Sequence, residues 1–114
     1  MQRYCLTLDL RPEPELIAEY IELHRLGRRE INQSIRDAGV LSMQIYELNA
    51  RLFMIMDTTD DFSMERKAAM DLANPAVQEW EALMSKFQNV AADSNPTSRW
   101  QLMERIYDLN ELMS

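Results

Sequence analysis

The segment LSMQIYELNARLFMIM, residues 41–56, carries the clearest fold signal in this chain of 114 residues. Two runs with strand composition, 41–48 and 51–56, are separated only by Asn49 and Ala50. A two-residue connection between such runs is typical of an antiparallel β-hairpin. The second run is apolar from Leu52 to Met56, which favours a central strand covered on both faces. We therefore predict a hairpin whose second strand lies inside a sheet.

A strand and a long helical region precede this hairpin. Apolar residues alternate with polar ones at the start of the chain, as in a strand buried on one face: Tyr4, Leu6, Leu8 and Leu10. Pro12 ends this strand, and Pro14 suits the first turn of a helix. Apolar residues then recur at spacings of three and four up to residue 35, with a predicted break at Gly27 and a helix end near Gly39.

A helical region and a last strand follow the hairpin. Residues 64–72 have helical composition, and Asn74 with Pro75 suits the start of another helix as cap and first residue. Residues 89–98 are predicted as a loop, and residues 99–109 alternate in part and are predicted as the fourth strand. The order βαββαβ predicts an α+β, ferredoxin-like domain over residues 1–114, with an antiparallel sheet and helices on one face.

The uncovered face of such a sheet has a consequence for assembly. Helices on one side leave the other side bare, unless it packs against another copy of the chain. We therefore expect a homodimer with its sheets face to face.

Charge and composition exclude several classes of partner. Acidic residues outnumber basic ones by 19 to 12, so a phosphate backbone would be repelled and no nucleic acid partner is expected. The chain has one cysteine, Cys5, which favours a reducing compartment and predicts a cytoplasmic protein. No signal peptide is recognisable, and no apolar run approaches the ~18 residues that a membrane span requires.

The single histidine, His24, is the first candidate for chemistry. It follows Tyr20 by four residues, so both side chains leave a continuous helix on the same face. Histidine exchanges protons near neutral pH, and a neighbouring phenol can bind a substrate hydroxyl. On the pattern alone, a half-buried structural histidine on an amphipathic helix is the default explanation. Glu30 lies six residues further on and could approach His24 past the break at Gly27, although a solvated glutamate is the usual reading of such a position.

Trp80 is the second candidate, and other site types are poorly represented. It lies on the apolar stripe of the last helix, where core packing is the default explanation and a platform for a sugar the functional one. One histidine and one cysteine on different elements give no metal site, and none is predicted. With two glycines in the whole chain, a glycine-rich phosphate loop and the usual nucleotide cofactors are not expected.

Several motifs in the same order resemble the L-rhamnose mutarotase family. They cover nearly the whole chain: Tyr4-Cys5-Leu6-Thr7-Leu8, Tyr20-x-x-x-His24 with Glu30, Asp37-Ala38-Gly39-Val40, Ile45-Tyr46, Arg51-Leu52-Phe53-Met54, Asn74-Pro75, Val77-Gln78-Glu79-Trp80 and Met103-Glu104-Arg105-Ile106-Tyr107.

This resemblance implies a dimeric α/β-barrel isomerase that interconverts the α and β anomers of a free deoxy sugar by general acid/base catalysis, without a cofactor. The expected substrate is the monosaccharide L-rhamnose, with L-fucose or another aldose as the alternative. His24 matches the position of the family's proton donor. Positions expected to contact the sugar are Tyr20, Met43, Trp80, Glu81 and Glu30.

The chain departs from the family pattern at the pocket. Arg28-Arg29 stands where Trp-Pro usually precedes the glutamate, Met43 stands at a position that is often tyrosine, and Glu81 replaces a frequent second tryptophan. Two other functions therefore stay open at this point. One is a cofactor-free oxygenase of the same barrel type, because a fold does not choose its chemistry. The other is a non-catalytic sugar-binding or dimerisation module.

Overall fold

A computed structural model describes residues 1–91 and 99–113. Within these two ranges four strands and five helices follow in this order: β1 Gln2–Asp9, α1 Pro14–Leu26, α2 Arg29–Asp37, β2 Val40–Leu48, β3 Arg51–Thr58, α3 Met64–Leu72, α4 Pro75–Met84, β4 Gln101–Leu102 and α5 Leu109–Met113. The strands form one sheet in the order β2-β3-β1-β4, and every neighbouring pair is antiparallel. The predicted α+β, ferredoxin-like arrangement is confirmed.

The predicted hairpin is present, and its turn explains its register. β2 and β3 pair up to Leu48 and Arg51, which leaves a two-residue turn. Asn49 and Ala50 both have positive φ, 50° and 68°, as a twisted two-residue hairpin requires. The Glu47 carboxylate accepts a hydrogen bond from the Ala50 backbone N–H at 3.0 Å. The turn is thus held by a side chain from the strand that enters it.

The helices begin and end near the proline, glycine and asparagine residues that the sequence predicts as their boundaries. Pro14 opens α1, and Gly27, with φ 68°, ends it one residue before the cap of α2. Gly39 has φ 100°, and a Cβ there would lie 2.9 Å from Oγ1 of Thr59, so glycine is required at this turn. The Asn74 side chain accepts hydrogen bonds from the first N–H groups of α4, as a helix cap does.

The two faces of β3 have different surroundings. Leu52, Met54 and Met56 point to the inner face and belong to the two hydrophobic clusters that the helices complete. Phe53 and Ile55 point to the outer face, are half-buried and belong to neither cluster. This strand was predicted to be covered on both faces. Within the described part of the chain only its inner face is covered, because the helix side chains of both clusters lie on that side.

The fourth strand was predicted wrongly in extent. Only Gln101–Leu102 pairs with β1, followed by one further bond from the Met103 N–H to the Cys5 carbonyl at 2.8 Å. Continuing this antiparallel register would set Arg105 opposite Arg3, and like charges in that position destabilise a sheet. Arg105 instead forms ion pairs with Asp108 and Glu111. Most of the predicted loop, residues 92–98, lies outside the described residues.

Candidate active site

A cavity of about 210 Å³ lies between the helices and the inner face of the sheet. Helices α1, α2, α3 and α4 and strands β2 and β3 all contribute to its wall. Among the residues that line it are Tyr20, His24, Arg28, Met43, Trp80 and Glu81. A neighbouring cavity of about 250 Å³ shares six lining residues with the first: Met43, Met54, Lys67, Asp71, Glu81 and Trp100. The candidate residues of α1 and α4 therefore converge on one space, although they are far apart in sequence.

The His24 ring is held in one orientation by its own helix. Nδ1 lies 2.9 Å from the backbone carbonyl oxygen of Tyr20, and since a carbonyl only accepts, Nδ1 must carry a hydrogen. Nε2 is consequently the nitrogen left for a ligand. Burial lowers the pKa of His24, and the bond to the carbonyl opposes this more weakly. The resting imidazole is therefore mainly neutral at neutral pH, with a free lone pair on Nε2.

Aromatic rings surround the imidazole. The ring centroids of His24 and Tyr20 are 4.1 Å apart at an interplanar angle of 31°, and those of His24 and Trp80 are 5.4 Å apart at 65°. The Arg28 guanidinium carbon lies 5.1 Å from the centre of the Trp80 ring, within the range of a cation–π contact. Arg28, one of the departures from the family pattern, thus becomes part of the cavity wall.

The Tyr20 hydroxyl is available to a ligand. The residue is buried, yet its hydroxyl makes no hydrogen bond within the described residues. No buried polar side-chain atom in that part of the chain lacks a partner, so the hydroxyl must reach accessible space. Burial, and to a smaller extent the Glu81 charge, raises the pKa of Tyr20. The phenol stays protonated and can donate a hydrogen bond.

Glu81 brings a carboxylate to the same cavity. It is half-buried at the junction of the two cavities. Beside it, Lys67 Nζ is 2.7 Å from Oδ2 of Asp71, and this pair lies one turn apart on α3. Burial and the Asp71 charge raise the pKa of Glu81, while Lys67 and Arg99 lower it less. The raised pKa makes Glu81 a stronger base than an ordinary glutamate.

The structure separates the sequence candidates into two groups. Tyr20, Met43, Trp80 and Glu81 line the cavity with His24. Glu30 does not: it is exposed on the first turn of α2. Its neighbour Ile31 lines the cavity instead, so the structure gives no support for a contact of Glu30 with the ligand space.

Three residues of the site were missed in the sequence. Lys67 and Asp71 have the i,i+4 spacing of a helical ion pair, and this signal alone does not reveal a cavity. Trp100 lines the cavity from the segment just before β4; it lies in the predicted fourth strand, residues 99–109, whose partial alternation does not indicate a site. Among the described residues, no three His, Cys, Asp or Glu side chains are grouped to hold a metal ion, and no helix could cross a membrane.

The chain is thus an α+β protein with a cavity in which the only histidine meets a phenol and a carboxylate. The sequence model of the L-rhamnose mutarotase family matches residues 3–109, and the chain belongs to that family, whose members are isomerases acting on sugars. An L-fucose mutarotase from Xanthomonas campestris pv. campestris is 38% identical over 116 residues, covering 100% of this chain and 93% of the relative.

Two solved structures support the fold. A crystal structure of an L-rhamnose mutarotase from Formosa agariphila superposes with a TM-score of 0.72 at 19% identity, covering 96% of this chain and 99% of the other. Tetracenomycin F2 cyclase from Streptomyces glaucescens, a type-II polyketide cyclase, superposes with a TM-score of 0.59 at 19% identity, covering 95% and 96%. At these identities the likeness concerns architecture alone, and the two names show that one architecture serves different reactions.

Proposed function

We propose that this protein interconverts the α and β anomers of a free 6-deoxy aldose, L-rhamnose first and L-fucose second, without a cofactor. Anomer exchange requires opening the hemiacetal ring, rotating the aldehyde and closing the ring on its other face. Only protons move between sugar and protein. One group must protonate the ring oxygen while another removes the proton of the anomeric hydroxyl, and such groups typically contribute 10²–10⁴-fold each.

His24 is the proton donor in this proposal. The observation that carries it is the hydrogen bond between Nδ1 and the Tyr20 carbonyl, because it leaves Nε2 as the nitrogen that can exchange a proton with a sugar. The imidazolium form donates to the ring oxygen. Its lowered pKa makes it a stronger acid, at the cost of a smaller protonated population at neutral pH.

The remaining wall of the cavity supports a deoxy sugar as the ligand. The Tyr20 hydroxyl donates a hydrogen bond to a sugar oxygen, and the Trp80 ring packs against an apolar face of the sugar ring. Met43, Ile31 and Val77 also line the cavity, and their apolar side chains match a methyl substituent better than a hydroxymethyl group. The predicted contact of Glu30 with the sugar has no support from its exposed position.

Replacement of His24 by alanine tests the proposal most directly. The rate of anomer exchange on L-rhamnose and L-fucose, measured by saturation-transfer NMR, is expected to fall by about 10²–10⁴-fold because the proton donor is lost. Glu22→Ala, an exposed change on the same helix, serves as the control and should retain the wild-type rate. Unchanged exchange in His24→Ala would remove His24 from the mechanism, and exchange by the wild type no faster than in buffer would favour the sugar-binding module.

We also propose that the protein is a homodimer whose sheets meet through their outer faces. Phe53, Ile55 and Cys5 form a partly exposed apolar centre on this face, and Arg3–Asp57 and Arg51–Asp9 form ion pairs at its two ends. An apolar core with a polar rim is typical of protein interfaces. β4 and the segment after it also expose large apolar side chains: Leu102, Met103, Ile106, Tyr107, Leu109, Leu112 and Met113. A second copy would cover both surfaces.

A further inference from the structure

We propose that Glu81 is the general base of this site: its carboxylate accepts the anomeric proton while Nε2 of His24 donates to the ring oxygen. This inference rests on the proposed mutarotase activity, and it gives the position that departs from the family's second tryptophan a chemical role.

The position of Glu81 supports this role. It follows Trp80 on α4, and the Trp80 ring packs against the His24 imidazole. Glu81 and His24 line the same cavity, so a sugar held there has access to an imidazole on α1 and to a carboxylate on α4. A base and an acid that border one cavity can act on the two oxygens of a single anomeric carbon.

The Glu81 carboxylate is free to take a proton. No hydrogen bond or ion pair occupies its oxygens within residues 1–91 and 99–113. Lys67 on α3, whose charge acts on Glu81, is bound to Asp71 at 2.7 Å. As no polar side-chain atom is both buried and unpaired in those residues, the carboxylate oxygens open onto accessible space.

The surroundings of both groups strengthen the chemistry. Burial and the Asp71 charge raise the pKa of Glu81, and burial lowers the pKa of His24. Under Brønsted behaviour a carboxylate with a raised pKa is a better base, and an imidazolium with a lowered pKa is a better acid. The titratable and charged groups facing this pair come from α1, the α1–α2 connection, α3 and the segment before β4: Tyr20, Arg28, Lys67, Asp71 and Arg99.

The proton cycle closes without any other reactant. In ring opening, Glu81 takes the proton of the anomeric hydroxyl, the O–H electrons form the aldehyde C=O, the bond from the anomeric carbon to the ring oxygen breaks, and the ring oxygen takes the proton from Nε2. After rotation the same hydroxyl attacks the other face of the aldehyde. Nε2 then recovers its proton, and Glu81 returns its proton to the new anomeric oxygen. Both groups end in their starting forms.

The active form of the pair holds a single proton, which predicts a bell-shaped dependence on pH. At low pH Glu81 is protonated and the base is lost, so the rate falls. At high pH His24 is neutral and the acid is lost, so the rate falls again. The pKa of Glu81 is raised and that of His24 is lowered. The pH range between the two limbs, in which the exchange rate is high, is therefore expected to be narrow.

Glu81→Gln tests the inference, with Glu79→Gln, an exposed position on the same helix, as the matched control. We expect anomer exchange to fall by about 10²–10⁴-fold in Glu81→Gln and to stay unchanged in Glu79→Gln. The acidic limb of the pH profile should disappear from the residual activity of Glu81→Gln, since the group that titrates there is gone. Glu81→Ala should recover part of its rate when sodium formate supplies a small carboxylate.

The other outcomes are distinguishable. If Glu81→Gln keeps the wild-type exchange rate and the bell-shaped pH dependence, Glu81 is not the base, and the role of His24 is unaffected. A large loss without formate rescue and with both pH limbs retained would also exclude Glu81 as the base, because a merely structural glutamate behaves in that way. If the wild type accelerates exchange of none of a panel of free aldoses, the proposed function fails and this inference fails with it.

Discussion

The two faces of strand β3 carry equally apolar side chains but are buried to different extents. On the inner face Leu52, Met54 and Met56 are 0%, 8% and 3% exposed. On the outer face Phe53 and Ile55 keep part of their surface accessible. The difference does not come from the residues, since phenylalanine and isoleucine are as strongly buried in proteins as leucine and methionine. It comes from the helices, whose packed side chains lie on one side.

The candidate active site and the proposed dimer surface lie on opposite faces of the sheet. The helices enclose a cavity on the inner face, and the histidine, the phenol and the carboxylate of the candidate site all line it. The outer face presents an apolar centre between two ion pairs. One sheet therefore has a surface suited to a sugar and another suited to a second copy, and mutations on the two faces should separate these properties.

Leu52→Ala should produce the largest loss of stability. Leu52 is fully buried, and shortening such a side chain costs its transfer free energy and leaves a cavity, together about 2–5 kcal/mol. Urea denaturation would measure the change in the free energy of unfolding. Leu72→Ala, the same substitution at an exposed position, should change it by less than about 0.5 kcal/mol. Equal losses in the two variants would contradict the assigned inner core.

Phe53→Glu should affect assembly more than the stability of the protomer. A charge in the centre of an apolar interface is costly to bury, so the mass in solution, measured by light scattering, is expected to change from two chains to one. Gln33→Glu adds the same charge at an exposed position on α2 and should leave the mass at two chains. A wild-type protein that is already monomeric, or a dimeric Phe53→Glu variant, would refute dimerisation through the outer face.

Ala50→Gly should have the smallest effect, with the opposite sign. Ala50 has φ 68° in the hairpin turn, where glycine avoids the steric cost of a Cβ, so a gain of up to about 1 kcal/mol is expected. Ala69→Gly, at an exposed position inside α3, should instead lose about 0.5–1 kcal/mol. Thermal melting of both variants shows whether the stability rises in Ala50→Gly and falls in Ala69→Gly. A loss in Ala50→Gly would mean that the turn backbone differs from the one described.

Most of the fold could be predicted from local patterns. Pro14, Gly27, Gly39 and Asn74 act on the backbone of their own turn, and the periods of the apolar residues identify helix and strand. The extent of β4 could not be predicted in this way, because a strand depends on its neighbour. The residues after Leu102 alternate as a strand would, but continued pairing with β1 would place Arg105 opposite Arg3.

The candidate site shows the same division. Tyr20 and His24 could be paired from the sequence because they lie one helical turn apart. Glu30 could not be placed, since the direction of α2 after Gly27 depends on how that helix packs. Lys67 and Asp71 could be paired as an ion pair but not assigned to a cavity, and Trp100 could be assigned to the predicted fourth strand but not to a site.

The sequence by itself determined the order βαββαβ and most element boundaries, because backbone preference and apolar period act between near neighbours, and its motifs indicated the family. The family resemblance already placed Glu81 beside His24 at the sugar, but only the tertiary structure decided that Nε2 of His24 is the nitrogen left for a ligand, that Glu30 lies outside the cavity, and that Lys67, Asp71 and Trp100 line it. Convergence of residues more than fifty positions apart depends on the packing of α4 against the sheet, and no local pattern contains that information.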